Sequence, residues 1–238
     1  MAIERLANQV KHEAISLVSY AVLRVLSHGI TLEGKENLPR RGPAIVVNNH
    51  MGILEVLPPH IYLPDTPVTF TKVENLEIPV FSCLPKFLSA IPVHRGEVDR
   101  RAIYAAIDVL KKYGILYTCP EGTRGRDKDR NRTVLKPAKP GIIYIAQHAA
   151  NVLKTSIPIY PMAVWGTEGV LPQIDDTTIP VSKRLLIHRD NVHVSVGEPV
   201  FIHNSRDYST PEARQSKIDE VMLKIRDMLP KKYHGYYA

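Results

Sequence analysis

A histidine and an acidic residue lie five positions apart in the segment 48–56, which reads NNHMGILEV. In a continuous α-helix this spacing turns the two side chains about 140° away from each other. If His50 instead lies in the turn before a helix and Glu55 one turn inside it, the carboxylate can accept from one ring nitrogen and leave the other as a base. That pair is the base and its orienting acid, as in a catalytic triad. The alternative is a strand-end histidine satisfied by the backbone, with an unrelated glutamate.

A second polar group follows the apolar run Ile115–Thr118, in the segment CPEGTRGRD. Glu121 and Arg124 come shortly after this predicted strand, and Gly122 lets the backbone approach a ligand closely. The stretch 124–139 carries seven Lys or Arg and two Asp, which gives a net charge of +5. Such a loop could bind phosphate, or it could be a solvated charged loop.

A third polar group, His94 and Arg95, follows the short apolar run Ile91–Val93, and His50 itself follows the apolar run 44–47. In α/β sheets, functional groups gather beyond the carboxyl ends of strands, where loops meet helix N-termini. We therefore expect the three loops to converge on one site.

The remaining apolar patterns alternate between helix and strand. Residues 99–114 place Ile103, Ile107 and Leu110 on one face, which predicts a helix that stops at Gly114. Further helices are predicted over about 51–63, 140–151 and 211–228, and further strands over 68–71, 157–164, 185–187 and 192–196. This alternation predicts one α/β domain whose mixed, largely parallel sheet is covered by helices on both faces.

Residues 1–30 are predicted to form a separate N-terminal element ahead of a domain over 31–238. Their apolar residues recur every three or four positions, on a stripe of Ile3, Leu6, Val10, Ala14, Leu17, Ala21 and Val25. The longest near-apolar run, 14–23, ends at Arg24 and is too short to span a bilayer, and it lacks a small-residue cleavage site. The pattern predicts an amphipathic helix that either packs on the core or lies on a membrane surface.

Composition narrows the classes of function. The 238 residues are 44% hydrophobic and 23% charged, as in an ordinary globular domain. The net charge of +7 favours nucleic acid, a phosphorylated substrate or an acidic membrane surface as partner. Aromatic residues make up only 7% and no recognition motif occurs, which argues against nucleic acid. Two distant cysteines, Cys83 and Cys119, indicate a reducing cytosol and neither a zinc site nor a disulfide.

Two other enzyme classes lack their motifs. A serine hydrolase needs a nucleophile elbow, and the chain contains no G-x-S-x-G. A metal enzyme could use His188, His193 and His203, but no acidic partners lie at ligand spacing from them.

Four blocks of the sequence resemble, in the same order, those of the glycerophospholipid acyltransferase family, in particular its lysophosphatidic acid acyltransferase group. They are EGKENLPRRGPAIVVNNHMGILE, IPVHRG, PEGTRG and IPIYPMAV, and the resemblance runs from about residue 31 to 203. The resemblance implies that His50 is the general base, oriented by Glu55 in place of the family's aspartate. It implies that the acceptor's phosphate is bound by the second and third blocks, at Arg95, Glu121, Gly122, Thr123 and Arg124.

The same resemblance implies a reaction. An acyl group would pass from acyl-CoA or acyl carrier protein to a hydroxyl of lysophosphatidic acid, giving phosphatidic acid in phospholipid biosynthesis, without a metal or a bound cofactor. The implied partners are a lysophospholipid acceptor, an acyl thioester donor and an anionic membrane surface. The protein is expected to be peripheral, on the cytoplasmic face of the membrane.

Two departures from the family pattern leave alternatives open. Glu55 is one methylene longer than aspartate, which requires a shift of about 1 Å, and misplacement on that scale can cost about 100-fold in rate. The alternatives are another acceptor, either glycerol 3-phosphate or a phosphoinositol glycolipid, and a non-catalytic lipid-binding relative. Cys119 replaces an aromatic residue common in the family, and we expect a buried strand residue there rather than a nucleophile.

Overall fold

The computed structural model describes residues 2–52, 54–73, 90–94, 99–124, 133–170 and 189–238. In chain order, the elements are α1 (Ala2–Leu26), β1 (Gly29–Glu33), β2 (Ala44–Asn48), α2 (Leu57–Tyr62), β3 (Phe70–Lys72), β4 (Ile91–Val93), α3 (Arg100–Lys111), β5 (Ile115–Thr118), α4 (Gly141–Leu153), β6 (Ile157–Trp165), α5 (Thr167–Val170), β7 (Asn191–Val196), β8 (Val200–Ile202) and α6 (Pro211–Met228). The strand predicted at 185–187, together with Cys83 and His188, lies outside the described residues.

The main sheet of this described part has the order β1-β7-β6-β2-β5, with β8 paired to β6. Strand β2 is parallel to both β5 and β6, and β1 is parallel to β7, whereas β6 is antiparallel to β7 and β8. A separate parallel pair is formed by β3 and β4. The prediction of a mixed, largely parallel sheet is therefore confirmed.

Strand β2 lies inside the sheet, and all five of its residues are buried. Because side chains alternate along a strand, Ile45 and Val47 pack on one face, in a cluster built with α3, α4 and α6. Ala44 and Val46 pack on the other face, in a cluster that includes Leu23 of α1 and partly buried residues of α2. Helices thus cover both faces, as predicted, and the uninterrupted apolar run is typical of such a strand.

Helix α3 shows how the sequence sets the boundaries of an element that leads into the site. Asp99 precedes the first turn, and its carboxylate accepts from the backbone N–H of Ala102 and of His94, at 3.1 Å each. At the other end, a Cβ on Gly114 would lie 2.7 Å from Cγ1 of Val109. Glycine is therefore needed where the chain turns directly from α3 into β5.

Helix α1 packs on the domain by a face that the apolar stripe did not predict. Its contact residues are Ile15, Ser19 and Leu23, at most 3% exposed. On the predicted stripe, by contrast, Leu6 is 62% exposed and Leu17 is 69% exposed. The stripe therefore points away from the domain. In the part of the chain described above, no helix is long and apolar enough to cross a membrane.

We predict that Leu23→Ala lowers the free energy of unfolding by about 2–5 kcal/mol, because it opens a cavity between α1 and the sheet. Leu17→Ala, the matched change on the exposed stripe, should alter it by less than about 0.5 kcal/mol. Urea unfolding of both variants measures the difference. Equal destabilisation would show that the stripe, too, packs on the domain.

Candidate active site

The chain just after β2 is held to β6 by the side chain of Asn49, which makes two hydrogen bonds to backbone groups of β6. Oδ1 of Asn49 accepts from the backbone N–H of Val164 at 2.8 Å, and its Nδ2 donates to the Val164 carbonyl at 2.7 Å. Asn49 is fully buried, so this double contact holds the chain against β6 after the regular pairing ends. His50 follows at once and leaves the sheet at its carboxyl end.

Glu55 lies in a 3₁₀ turn, Leu54–Val56, and its buried carboxylate reaches back to the residues before it. One oxygen contacts Nδ1 of His50. The other accepts from the backbone N–H of Met51 at 2.6 Å and of Gly52 at 2.7 Å. The contact expected from the five-residue spacing is therefore present, and both carboxylate oxygens are hydrogen-bonded.

The route that the chain takes between these residues differs from the prediction. A helix was expected over 51–63, but α2 begins only at Leu57, with a proline in its first two positions, where proline is tolerated. Two backbone N–H groups turn toward Glu55 instead of entering a helix. A Cβ on Gly52 would lie 2.8 Å from Oγ1 of Thr167, so the turn fits only because residue 52 is glycine.

The imidazole of His50 is oriented for proton transfer. A carboxylate only accepts hydrogen bonds, so the contact with Glu55 places the proton of a neutral ring on Nδ1. Nε2 then carries the lone pair, and it has no hydrogen-bond partner among the residues that the structure describes. The side chain is 25% exposed, so a substrate hydroxyl can reach it. The arrangement can take up a proton and stabilise the resulting imidazolium.

Glu121 connects three loops around this pair. One carboxyl oxygen accepts from the backbone N–H of His50 at 2.8 Å, and the other accepts from the backbone N–H of Lys136 at 2.7 Å. Burial raises the pKa of Glu121 to about 8, and the charge of Glu55 adds to this, although the two backbone donors act in the opposite direction. The resemblance assigns Glu121 to the phosphate-binding block, and its carboxyl group is hydrogen-bonded to the backbone beside His50.

The rest of the E-G-T-R block forms the turn after Glu121. Gly122 has φ 70°, a left-handed value that favours glycine, and its N–H donates to the Cys119 carbonyl at 3.2 Å. Thr123 is exposed and Arg124 is partly buried. His50, Glu55 and the 121–124 turn therefore share one end of the sheet, while Arg95 lies outside the described residues.

Tyr117 and Cys119 lie on the buried side of the His50–Glu55 pair. The Tyr117 hydroxyl accepts from Nδ2 of Asn48 at 2.9 Å and contacts the Glu55 carbonyl at 3.3 Å. Burial, followed by the charge of Glu55, raises the pKa of the Cys119 thiol well above its usual value. The thiol therefore stays protonated, which disfavours a role as nucleophile. Cys119 itself is half-buried and directly follows β5, so the expectation of a buried strand residue is wrong.

Cys119 could in principle complete a metal site, because donor atoms of His50, Glu55 and Cys119 lie within 4.8 Å of one another. The chemistry of this set disfavours a metal. His50 and Glu55 are hydrogen-bonded to each other, and a thiol with a raised pKa resists the deprotonation that metal binding requires.

The sequence reasoning assigned no role to Asn48, Asn49, Tyr117 or the backbone N–H of Lys136. The two asparagines carried a usable signal, because amide side chains at the end of a buried apolar strand need hydrogen-bond partners. Nothing local identified Tyr117 or Lys136, since their partners lie 69 and 15 residues away in the sequence.

A family model described as Acyltransferase matches residues 29–165. Among curated proteins, a chloroplastic 1-acyl-sn-glycerol-3-phosphate acyltransferase of Arabidopsis thaliana is 28% identical, over 81% of this chain and 49% of its own length. A lysophospholipid acyltransferase of Xenopus tropicalis is 28% identical, over 89% and 39%. A 1-acyl-sn-glycerol-3-phosphate acyltransferase of Borreliella burgdorferi is 29% identical, over 59% and 52%. The chain thus spans about half the length of the curated relatives it matches.

Among solved structures, the chain is similar to PlsC, the 1-acyl-sn-glycerophosphate acyltransferase of Thermotoga maritima. The TM-score is 0.71, with 23% identity, and the match covers 95% of this chain and 82% of that one. At this identity the similarity shows a shared fold.

We predict that Glu121 makes stability depend on pH. A carboxyl group with an unfolded pKa near 4.5 and a folded pKa of about 8 binds a proton more readily in the folded state. Its contribution is complete below the lower value and is lost as the pH rises to the upper one, by up to about 1.4 kcal/mol per pH unit. Denaturant unfolding between pH 6.5 and 8 measures this dependence.

Glu121→Gln supplies the control for that measurement, because its amide does not titrate. The unfolding free energy of the wild type minus that of this variant should become smaller as the pH rises from 6.5 to 8. A value that stays constant or becomes larger would contradict the raised pKa of Glu121.

Proposed function

Because this chain belongs to the acyltransferase family, we propose that it transfers an acyl group from acyl-CoA or acyl carrier protein to a hydroxyl of lysophosphatidic acid. The product is phosphatidic acid. The observation that carries the proposal is the His50–Glu55 pair, with its ring half-buried at the carboxyl end of β2. The names of the Arabidopsis and Borreliella relatives support the choice of a 1-acylglycerol 3-phosphate as acceptor.

In the proposed step, the acceptor hydroxyl gives its proton to Nε2 of His50 as its oxygen attacks the thioester carbonyl carbon. The carbon–sulfur bond then breaks, and the leaving thiolate takes the proton from the imidazolium. The carboxylate of Glu55 stabilises that imidazolium through the Nδ1 proton. The step draws on no metal or bound cofactor.

The methylene that distinguishes Glu55 from the family's aspartate is compatible with this role. With its longer side chain, Glu55 still places its carboxylate against the His50 ring and the backbone N–H groups of Met51 and Gly52. These fixed donors hold the carboxylate in place, so little reorganisation is needed as charge develops on His50.

The acceptor's phosphate is proposed to bind at the 122–124 turn. Arg124 supplies a cation there, and the left-handed backbone of Gly122 keeps the turn open to a ligand. Lys139 lies alongside, since its Nζ would be 3.4 Å from a Cβ at position 122. From its place in the second sequence block, Arg95 is proposed to contact the same phosphate.

We predict that His50→Ala lowers kcat by about 10² to 10⁴-fold, because the general base contributes on that scale. Glu55→Gln should also lower kcat, by about 100-fold, since its amide nitrogen must face a ring or backbone donor. Thioester consumption and phosphatidic acid formation are measured with acyl-CoA and lysophosphatidic acid.

Glu198→Gln is a matched control for Glu55→Gln, because Glu198 is exposed and lies outside the site. It should keep wild-type turnover. Wild-type turnover in a folded His50→Ala protein would exclude the mechanism, and thioester consumption with glycerol 3-phosphate but not lysophosphatidic acid would exclude the proposed acceptor.

We also propose that the protein is peripheral at the cytoplasmic face of a membrane and contacts it through α1. Val10, Leu17 and Val25 on its predicted stripe are each more than half exposed, although burial of such side chains is favourable. The net charge of +7 favours an anionic surface. A lysophospholipid acceptor and its product also reside in bilayers.

We predict that the double variant Leu6→Ser and Leu17→Ser loses most of its binding to vesicles containing phosphatidic acid, because it removes two exposed apolar contacts. Vesicle flotation at low and high salt measures the binding. Tyr104→Ser, at a residue 66% exposed on α3, is the control and should float as the wild type does. Equal flotation of the double variant would remove the α1 stripe from the membrane contact.

A further inference from the structure

Residues 133–139, here called the bracing loop, run past the active-site turn and are bonded to it. Lys136 donates its backbone N–H to the Glu121 carboxyl group at 2.7 Å, and Lys139 donates its own to the Pro120 carbonyl at 2.9 Å. The same Glu121 carboxyl group accepts from the His50 backbone. The position of this loop therefore affects the start of the 121–124 turn, at Pro120 and Glu121.

The opposite side of the bracing loop is paired with residues 233–237, which read YHGYY. Leu135 donates its N–H to the Tyr233 carbonyl at 2.8 Å and accepts from the Tyr236 N–H at 3.0 Å. The two hydrogen bonds reach residues three positions apart, so Leu135 is held at two points of the segment. This short segment, here called the YHGYY segment, fixes the middle of the loop.

Tyr237 adds a side-chain anchor to this pairing. Its hydroxyl accepts from the Ala138 N–H at 3.0 Å and donates to Oδ1 of Asp219, on α6, at 2.7 Å. The ring is buried, and Gln215, also on α6, donates to the Ala138 carbonyl at 3.0 Å. The loop is thereby tied to the long helix α6 as well as to the YHGYY segment.

Gly235 shows that the contact requires close packing of two backbones. Its φ is 53°, in the left-handed region, and a Cβ there would lie 2.5 Å from the Leu135 carbonyl oxygen. It would also lie 2.7 Å from Cβ of Val134. Any larger residue would push the segment away from the loop.

We propose that the YHGYY segment is a positioning element of the active site, with Tyr237 and Gly235 as its positioning residues. It holds the bracing loop against Glu121 and thereby sets the 122–124 turn and the lysines beside it. The consequence for catalysis rests on the proposed acyl transfer; the structural coupling does not.

The coupling should change acceptor binding more than the chemical step. Glu55, which orients the His50 ring, is held by the backbone of Met51 and Gly52. The bracing loop reaches His50 through Glu121 and only at the backbone N–H, away from the ring. Lys139, which is proposed to bind the acceptor's phosphate, belongs to the loop, and the loop is hydrogen-bonded to Pro120 and Glu121, directly before the 122–124 turn. Loosening the loop should therefore raise the acceptor KM while kcat and the thioester KM change little.

Tyr237→Phe tests this in the full chain, because it removes only the hydroxyl that Ala138 and Asp219 share. We expect the acceptor KM to rise by about fivefold, the equivalent of one net hydrogen bond. Amide hydrogen exchange at Lys136 and Ala138 should quicken by a similar factor. Gly235→Ala should also raise the acceptor KM and quicken this exchange, because its Cβ would push the YHGYY segment away from the loop.

Tyr236→Phe is the matched control. Tyr236 is 66% exposed and its hydroxyl makes no hydrogen bond within the described residues, so kinetics and exchange should stay at wild-type values.

Quickened exchange in Tyr237→Phe with an unchanged acceptor KM would overturn the positioning role. If the wild type does not acylate lysophosphatidic acid, the proposed function fails, and exchange alone decides: quickened exchange at Lys136 supports the coupling and unchanged exchange overturns it.

Discussion

The carboxylate of Glu55 is the group around which the active site is arranged. A buried carboxylate is costly unless donors replace the water that it loses. Glu55 obtains those donors from His50, Met51 and Gly52, three residues in succession. To present all three, the chain after β2 must form a tight turn and delay α2 until Leu57. The same requirement fixes the ring of His50 in one orientation, with Nε2 directed away from the acid.

Glu121 is the second buried acid, and its role differs because its surroundings differ. Its partners are backbone N–H groups from two loops, so it connects elements rather than orienting a ring. Burial and the nearby charge of Glu55 raise its pKa to about 8, which favours its neutral form at physiological pH. The two acids at this end of the sheet thus have different roles: Glu55 orients His50, and Glu121 holds the loops in place.

Local pattern predicted much of the fold. The strands at Ile91–Val93 and Ile115–Thr118 have the predicted bounds because each is an apolar run. The helix at Pro211–Met228 also has the predicted bounds, and it begins with a proline after Thr210, whose side chain accepts from the Ala213 N–H. The strands β1 and β8 were not predicted, because they are short and are stabilised by pairing with distant strands. The packing face of α1 was missed because Ser19 interrupts it, while the more regular stripe faces outward.

The spacing of His50 and Glu55 allowed their contact and the family resemblance implied it, but the remaining site contacts depend on the fold. Asn49 meets Val164 across 115 positions of sequence, and no local pattern encodes such a partner. The contacts of Glu121 likewise depend on the fold, since its backbone partners, His50 and Lys136, lie 71 and 15 residues away in the sequence. Sequence thus identified His50 and Glu55 as a candidate pair, whereas the tertiary structure shows the groups that hold the pair in place.

The most direct test of the account is the position of the proton on the neutral His50 ring, because the general base requires Nε2 to be unprotonated. Nitrogen NMR of the ¹⁵N-histidine-labelled full chain measures this, with His50→Gln used to assign the resonances. The contact with Glu55 predicts a protonated Nδ1 and an unprotonated Nε2. A neutral ring that carries its proton on Nε2 would contradict it.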